Sequence, residues 1–229
     1  MSSWDIYSSD KSITPDYGIQ QSFDFDSTKH SVSSGTSVLD NFLPEGGWPG
    51  CELSEVVCDR FETGLQLLLP LLAKANAENR WITMISPPAN LNQSLFTFYG
   101  IDMSRVLLIH PKNDVDDKVT MNNALKNGKS HIVIFWTKNL TTRFLAQWRK
   151  SVKQGSCVGV IIHEKGKNHN SRSVALTIEA KSKDDGILLK RARKFGVQQK
   201  PKPEIILPKV CEKHIASQLH QLALQLPLN

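Results

Sequence analysis

Apolar positions along this chain fall into two alternating rhythms. Short runs rich in β-branched residues recur at 52–57 (ELSEVV), 81–86 (WITMIS), 105–110 (RVLLIH), 131–136 (HIVIFW) and 157–162 (CVGVII). Runs this short and continuous predict strands buried on both faces, as in parallel sheets. Longer segments separate them. The 65–79 segment sets Leu65, Leu68, Leu69 and Leu72 on one face, 114–127 stops at Gly128, and 140–154 stops at Gly155, so these read as helices with glycine C-terminal ends. Pro70 predicts that the first of them starts late or kinks. Strand and helix in strict turn imply βαβ units, hence an α/β fold whose mostly parallel sheet is flanked by helices.

After residue 162 the rhythm changes. SVALTIEAK alternates with period two through Val174, Leu176, Ile178 and Ala180, KDDG supplies an Asp-Gly turn, and ILLKRARKF returns. This predicts a C-terminal antiparallel hairpin at the sheet edge, to which PEIIL (203–207) adds one more strand. The Ser- and Asp-rich residues 1–30 carry no sustained period and read as a disordered tail. The expected organisation is therefore a tail over 1–30, a core over 31–208, and a C-terminal helical segment over 209–229.

Charge changes this picture in one place. Residues 165–202 hold eleven Lys or Arg against Glu179, Asp184 and Asp185, a local charge of +8 in a chain whose total is +6. Such a field is a footprint for a polyanion such as single-stranded DNA, or a solvated basic surface. Its residues are Lys165, Lys167 and Arg172 in one loop and Lys190, Arg191, Arg193 and Lys194 on the hairpin. Cys51, Cys58, Cys157 and Cys211 form no CxxC, which predicts reduced thiols rather than a zinc or disulfide framework. His163, Glu164 and His169 in HEKGKNHNSR fit no ligand spacing and read as a solvated loop, with no metal site. Phe135, Trp136, Phe144 and Trp148 read as packing residues. No apolar run is long enough for a membrane span and no leader pattern opens the chain, so a cytoplasmic protein without membrane contact is expected.

The stretch SGTSVLDNFLPEGGWPGCELSEVVCDRFETG resembles the start of a RecA-type core, in which a Ser-x-Gly and a Leu-Asp precede a Gly-Gly turn and the first strand runs into a phosphate loop. The register continues through YGIDMSRVLLIHP, KSHIVIFWT and GILLKRARKFGVQQKPKPEIIL, about residues 33–207. More closely, the Gly-Gly-Trp-Pro stretch with RWITMISPP resembles the ImuA family of mutagenesis accessory proteins, and LSEVV with LQLLLPLL and RW is similar to the SulA family of division inhibitors.

A working phosphate loop needs a lysine for the β- and γ-phosphates and a Ser/Thr hydroxyl for magnesium. Here Leu65 and Gln66 follow Gly64. Trp136 stands where a Walker B strand would end in Asp, and Pro87-Pro88 stand where the RecA pattern has its acidic base. With cation, metal ligand and base all missing, a pseudo-ATPase without cofactor, small-molecule substrate or enzymatic activity is expected. Arg60, Glu62, Thr63, Gly64, Leu65 and Trp136 mark the degenerate site.

Two functions follow from the resemblance. The favoured one is an ImuA-like adaptor in the SOS response, binding an ImuB-like inactive polymerase relative, with RecA or the sliding clamp as further partners. The Gly-Gly-Trp-Pro stretch and the basic hairpin favour it. The alternative is a SulA-like inhibitor that binds FtsZ and blocks its polymerisation. A platform without chemistry acts through its surfaces, so the terminal HQLALQLPLN, with Leu219, Gln221, Leu222, Leu224, Leu226 and Leu228, is read as a partner-binding segment, either a clamp-type peptide or one face of a packing helix.

Overall fold

The computed structural model describes residues 30–89, 91–138, 140, 142–164, 174–194 and 203–208. The expected N-terminal tail and the C-terminal segment 209–229 lie outside them. The chain opens with a two-residue strand β1 (Ser31–Val32), a short helix α1 (Ser37–Phe42) and a strand β2 (Trp48–Pro49) that pairs antiparallel with β1. The Ser-x-Gly and Leu-Asp motifs have a local mechanical role here. Asp40 accepts from the Ser33 hydroxyl and the Ser34 N–H, both at 2.7 Å, and so ties the turn to α1 while Leu39 enters the core. Such side-chain bonds to nearby backbone are what favour Asp and Ser in turns.

Strand and helix then alternate. β3 (Leu53–Cys58), α2 (Phe61–Ala77), β4 (Ile82–Ile85), α3 (Gln93–Phe98), a 3-10 turn at Met103–Arg105, β5 (Val106–Ile109), α4 (Asp114–Lys126), β6 (Ile132–Trp136), α5 (Thr142–Gln154) and β7 (Val158–Glu164) follow in order. The chain finishes its described part with β8 (Leu176–Ser182), β9 (Gly186–Lys194) and β10 (Ile205–Pro208). Among the described residues these strands make one eight-stranded sheet in the order β10-β9-β8-β3-β7-β6-β4-β5. Every pairing from β8 through β3 to β5 is parallel, and β8-β9 and β9-β10 are antiparallel.

The sheet divides the interior into two apolar layers. Val56, Cys58, Met84, Ile134 and Ile162 face the layer filled by Leu65, Leu68, Leu69 and Leu72 of α2 with α1 and α3. Leu53, Ile85, Val133, Phe135 and Ile161 face Met121, Leu125, Leu145 and Trp148 of α4 and α5. Helices on both faces bury the central strands twice over, which is why their sequences are continuously apolar.

Two expectations need correction and a third is refined. α2 starts at Phe61 and runs unbroken through Pro70, whose ring is buried. Gly35, held at φ +89°, lies so close that a Cβ there would sit 2.7 Å from the Pro70 carbonyl oxygen, so the proline packs under a turn that only glycine makes. The 105–110 run is not an interior strand. β5 closes one side of the sheet, with Leu107 and Leu108 exposed. The hairpin is antiparallel and on the edge side of the sheet as expected, with β8 directly beside β3 and the PEIIL strand outermost as β10.

Candidate functional site

Parallel sheets gather the ends of their strands and the starts of the following helices on one rim, where ligands of open α/β folds bind. Here that rim is built at the end of β3. Only Asp59 and Arg60 connect β3 to α2, too short a link to wrap a phosphate chain. Arg60, the residue before the helix, is extended and makes no side-chain cap. The Thr63 N–H bonds back to the Arg60 carbonyl at 3.0 Å, and the Thr63 hydroxyl donates to Asp59 Oδ1 at 3.0 Å.

The end of β8 locks onto the same turn. The Ser182 N–H donates to both Asp59 carboxylate oxygens at 3.1 Å, and Arg60 Nη2 donates to Ser182 Oγ at 2.9 Å. A carboxylate thus occupies the positive end of α2, where helix dipole and donors already satisfy it. An incoming phosphate meets a negative charge there instead of a lysine.

The other residues of the degenerate site serve packing. Gly64 is buried, and a Cβ on it would lie 2.5 Å from Ile162 Cγ2. Its glycine lets α2 approach β7. Leu65 is a core residue, Trp136 is buried at the end of β6, and Glu62 is exposed in the first helical turn. Burial pushes the Cys58 thiol up to about 12, so it is a packing group and not a nucleophile at neutral pH. The fold brings Arg60, Thr63 and Gly64 together. It adds Asp59 and Ser182, which sequence reasoning missed. Asp59, just before a helix start, carries a recognisable capping signal; nothing local announces Ser182, which arrives from residues far along the chain.

His163 is a further correction. It lies on β7, buried rather than in a solvated loop, and its Nε2 is 2.5 Å from Glu55 Oε1 on β3. Its Nδ1 donates to the Glu164 carbonyl at 2.9 Å, and the Thr177 hydroxyl on β8 donates to Glu55 Oε2 at 3.3 Å. Since a carbonyl only accepts, Nδ1 keeps a proton. Hydrogen bonds from His163 and Thr177 are how the Glu55 carboxyl group persists in the centre of a sheet. Glu164 is exposed, His169 is outside the described residues, and among the described residues no three His, Cys, Asp or Glu gather as a metal site.

The aromatic expectations hold: Phe135, Trp136 and Trp148 are buried, and Phe144 stacks on Trp148 at 5.9 Å. Cys51, Cys58 and Cys157 are free thiols. Of the basic cluster, Lys165, Lys167 and Arg172 lie outside the described residues, as do Cys211, Leu219, Gln221, Leu222, Leu224, Leu226 and Leu228. Arg191, Arg193 and Lys194 lie on β9, opposite Glu179, Thr177 and Leu176. Lys190 is exposed and lines a pocket with Asp59, Glu179 and Lys181, so its surroundings are of mixed charge. No helix of the described residues is long and apolar enough to cross a membrane.

Residues 52–159, from the first residue of the β3 region through α5 to the start of β7, match the family model described as cell division inhibitor SulA. The chain is 31% identical over 131 residues to the cell division inhibitor SulA of Pseudomonas aeruginosa strain PAO1, a match that covers 54% of this chain and 81% of that protein. The chain belongs to the SulA family. A crystal structure of SulA from Pseudomonas aeruginosa is 27% identical, with a TM-score of 0.44, over 51% of this chain and 100% of that one. The family-model match over 52–159 takes in the β3–α2 turn and the β5 edge, and leaves the β8–β10 extension beyond it.

Proposed function

We propose that this chain is a cell-division inhibitor that works by binding a partner and carries no chemistry of its own. Membership of the SulA family carries this reading, because the similarity spans the sheet core and not a single motif. The partner proposed is FtsZ, in the setting of the SOS response. The β3–α2 turn supports a binder that has no use for ATP: Asp59 puts a carboxylate at the start of α2, held by Thr63 and Ser182, where a phosphate-binding turn would need a cation. The ImuA-like adaptor with an ImuB-like partner, favoured by the sequence motifs, has no comparable support, and the inhibitor reading takes its place.

Purified full-length chain added to FtsZ and GTP is expected to lower sedimentable polymer and GTP turnover in proportion to the chain added, while ATP stays intact. Overproduction is expected to turn dividing cells into filaments. Unchanged FtsZ assembly at several-fold molar excess, with normal cell length, overturns the reading; loss of damage-induced mutation on deleting the gene returns it to the adaptor.

A further inference from the structure

The layer of α1, α2 and α3 is left open on the β10 side of the sheet. An apolar recess of about 70 Å³ lies there between the start of α1, the middle of α2, the residue after α3 and the end of β10. Its walls include Val38, Leu67, Pro70, Tyr99, Leu207 and Pro208, and no charged side chain lines it. Val38 is 50% exposed. Small-molecule sites run from about 300 Å³ upward, so this recess suits apolar side chains laid in from a protein surface.

A polar atom at the same place lacks a partner. Gln66 borders the recess, and its Oε1 is shielded from solvent with no hydrogen bond among the described residues. Buried acceptors are nearly always bonded, so whatever covers the recess brings a donor as well as apolar groups.

The chain carries both directly downstream. Leu207 and Pro208 are walls of the recess and the last described residues, so residue 209 leaves β10 at the recess itself. Beyond it, Ile215, Leu219, Leu222 and Leu226 recur at the spacing of one helix face, and Pro227 stops the pattern. Gln218 and Gln225 fall along one side of that stripe and carry amide donors. We infer that residues 209–229 fold back as a helix on the α1–α2–α3 face, with the Ile215–Leu226 stripe against the recess and a glutamine amide donating to Gln66. The other end of the chain fits less well. Residues 1–29 hold Asp5, Asp10, Asp16, Asp24 and Asp26, and carboxylates lose hydration against an uncharged apolar wall. Docking ties the β8–β10 extension to the α2 layer and withdraws the terminal leucines from any partner's groove, so the segment clasps the chain's own core instead of serving as a clamp-type peptide. Nothing in it depends on FtsZ being the target.

Site-resolved alkylation of the full-length chain, read by peptide mass, tests the clasp. Val38→Cys probes the recess, and Val115→Cys, on the exposed surface of α4 across the sheet, is the reference. Val38→Cys is expected to react about tenfold or more slowly than Val115→Cys at every protein concentration. Leu219→Asp with Leu222→Asp is expected to bring the Val38→Cys rate close to the reference and leave Val115→Cys unmoved. Cys58 and Cys157 are buried, so their continued inertness shows that the Asp variant is folded. A second measurement keeps the native segment: a benzophenone side chain at position 38, in a mixture of isotopically heavy and light chains, is expected to cross-link to residues 209–229 of the same chain, and it decides the matter if the Asp variant unfolds. Equal reaction at 38 and 115 overturns the inference. So does protection of Val38→Cys that survives the Asp pair, which assigns the cover to residues 1–29, and so do cross-links between heavy and light chains, which assign it to a second copy.

Discussion

β3 and β5 reverse the usual link between composition and place. β3, Leu53–Cys58, carries Ser54 and Glu55, yet all six positions are buried. β5, Val106–Ile109, is wholly apolar, yet both central leucines are exposed. The difference is position in the strand order. β3 lies between β7 and β8 and is covered by helices on both faces, whereas β5 is the last described strand on its side. A strand's own residues therefore say that it belongs in a sheet; its neighbours, recruited from 106 residues away in the case of β7 and 122 for β8, decide how deeply it is buried. The interior strand affords a carboxylate only because those neighbours bring His163 and Thr177 to it.

The sharpest way to break that comparison is to strand one member of the buried pair. Glu55→Ala or His163→Ala leaves a charge or donor without its partner at the centre of the sheet, and a loss of about 3–5 kcal/mol is expected. Urea unfolding of the dilute, monomeric chain measures it. Replacing both residues with leucine removes both desolvation costs at once, and most of the lost stability is expected to return. A single-variant loss under about 1 kcal/mol would mean that β3 is not the dry interior its burial indicates.

A smaller contrast uses the same side chain at both places. Leu53→Ala, in the layer with Leu125 and Ile161, is expected to cost about 2–5 kcal/mol, while Leu107→Ala on β5 is expected to cost under about 1 kcal/mol. Equal losses would show that β5 is covered in solution even when the chain is monomeric.

Much of the fold was legible in the sequence because local rules govern it. Five apolar runs became strands, the glycines at 128 and 155 ended helices near where they were expected, and KDDG made its turn. What escaped depends on contacts distant in the chain. Leu107 and Leu108 look like core residues until the strand order is known. His163 looks like the start of a polar loop until Glu55 is found beside it, 108 residues away. At the candidate site Leu65 and Trp136 were legible as apolar residues, and both are buried, but nothing local announced that Ser182 would close the turn on Asp59. The SulA resemblance lay in the LSEVV and LQLLLPLL stretches, whereas the preference for the ImuA family rested on the basic hairpin and on the Gly-Gly-Trp-Pro stretch, whose role here is to pair with β1.

The smallest effect contrasts the interior pair with a pair nearer solvent. His131 precedes β6, is half-buried, and has its Nε2 2.9 Å from Arg80 Nη1. The guanidinium only donates, so Nε2 accepts and the ring is neutral. Burial, and after it the Arg80 charge, hold its pKa below the ordinary 6.5. The folded chain therefore takes up this proton at a lower pH than the unfolded chain does. The contribution is fully present above the unfolded value and is lost as pH falls from about 6.5 toward the folded value. His131→Gln keeps an acceptor for Arg80 and removes the titration. Urea midpoints measured from pH 8 to pH 5 are expected to fall further for the unsubstituted chain than for the variant, with the two curves separating only below about pH 7. Because every other group is the same in both, its response to acid cancels in the difference. Parallel curves across the whole range would mean that solvent screens the Arg80–His131 contact.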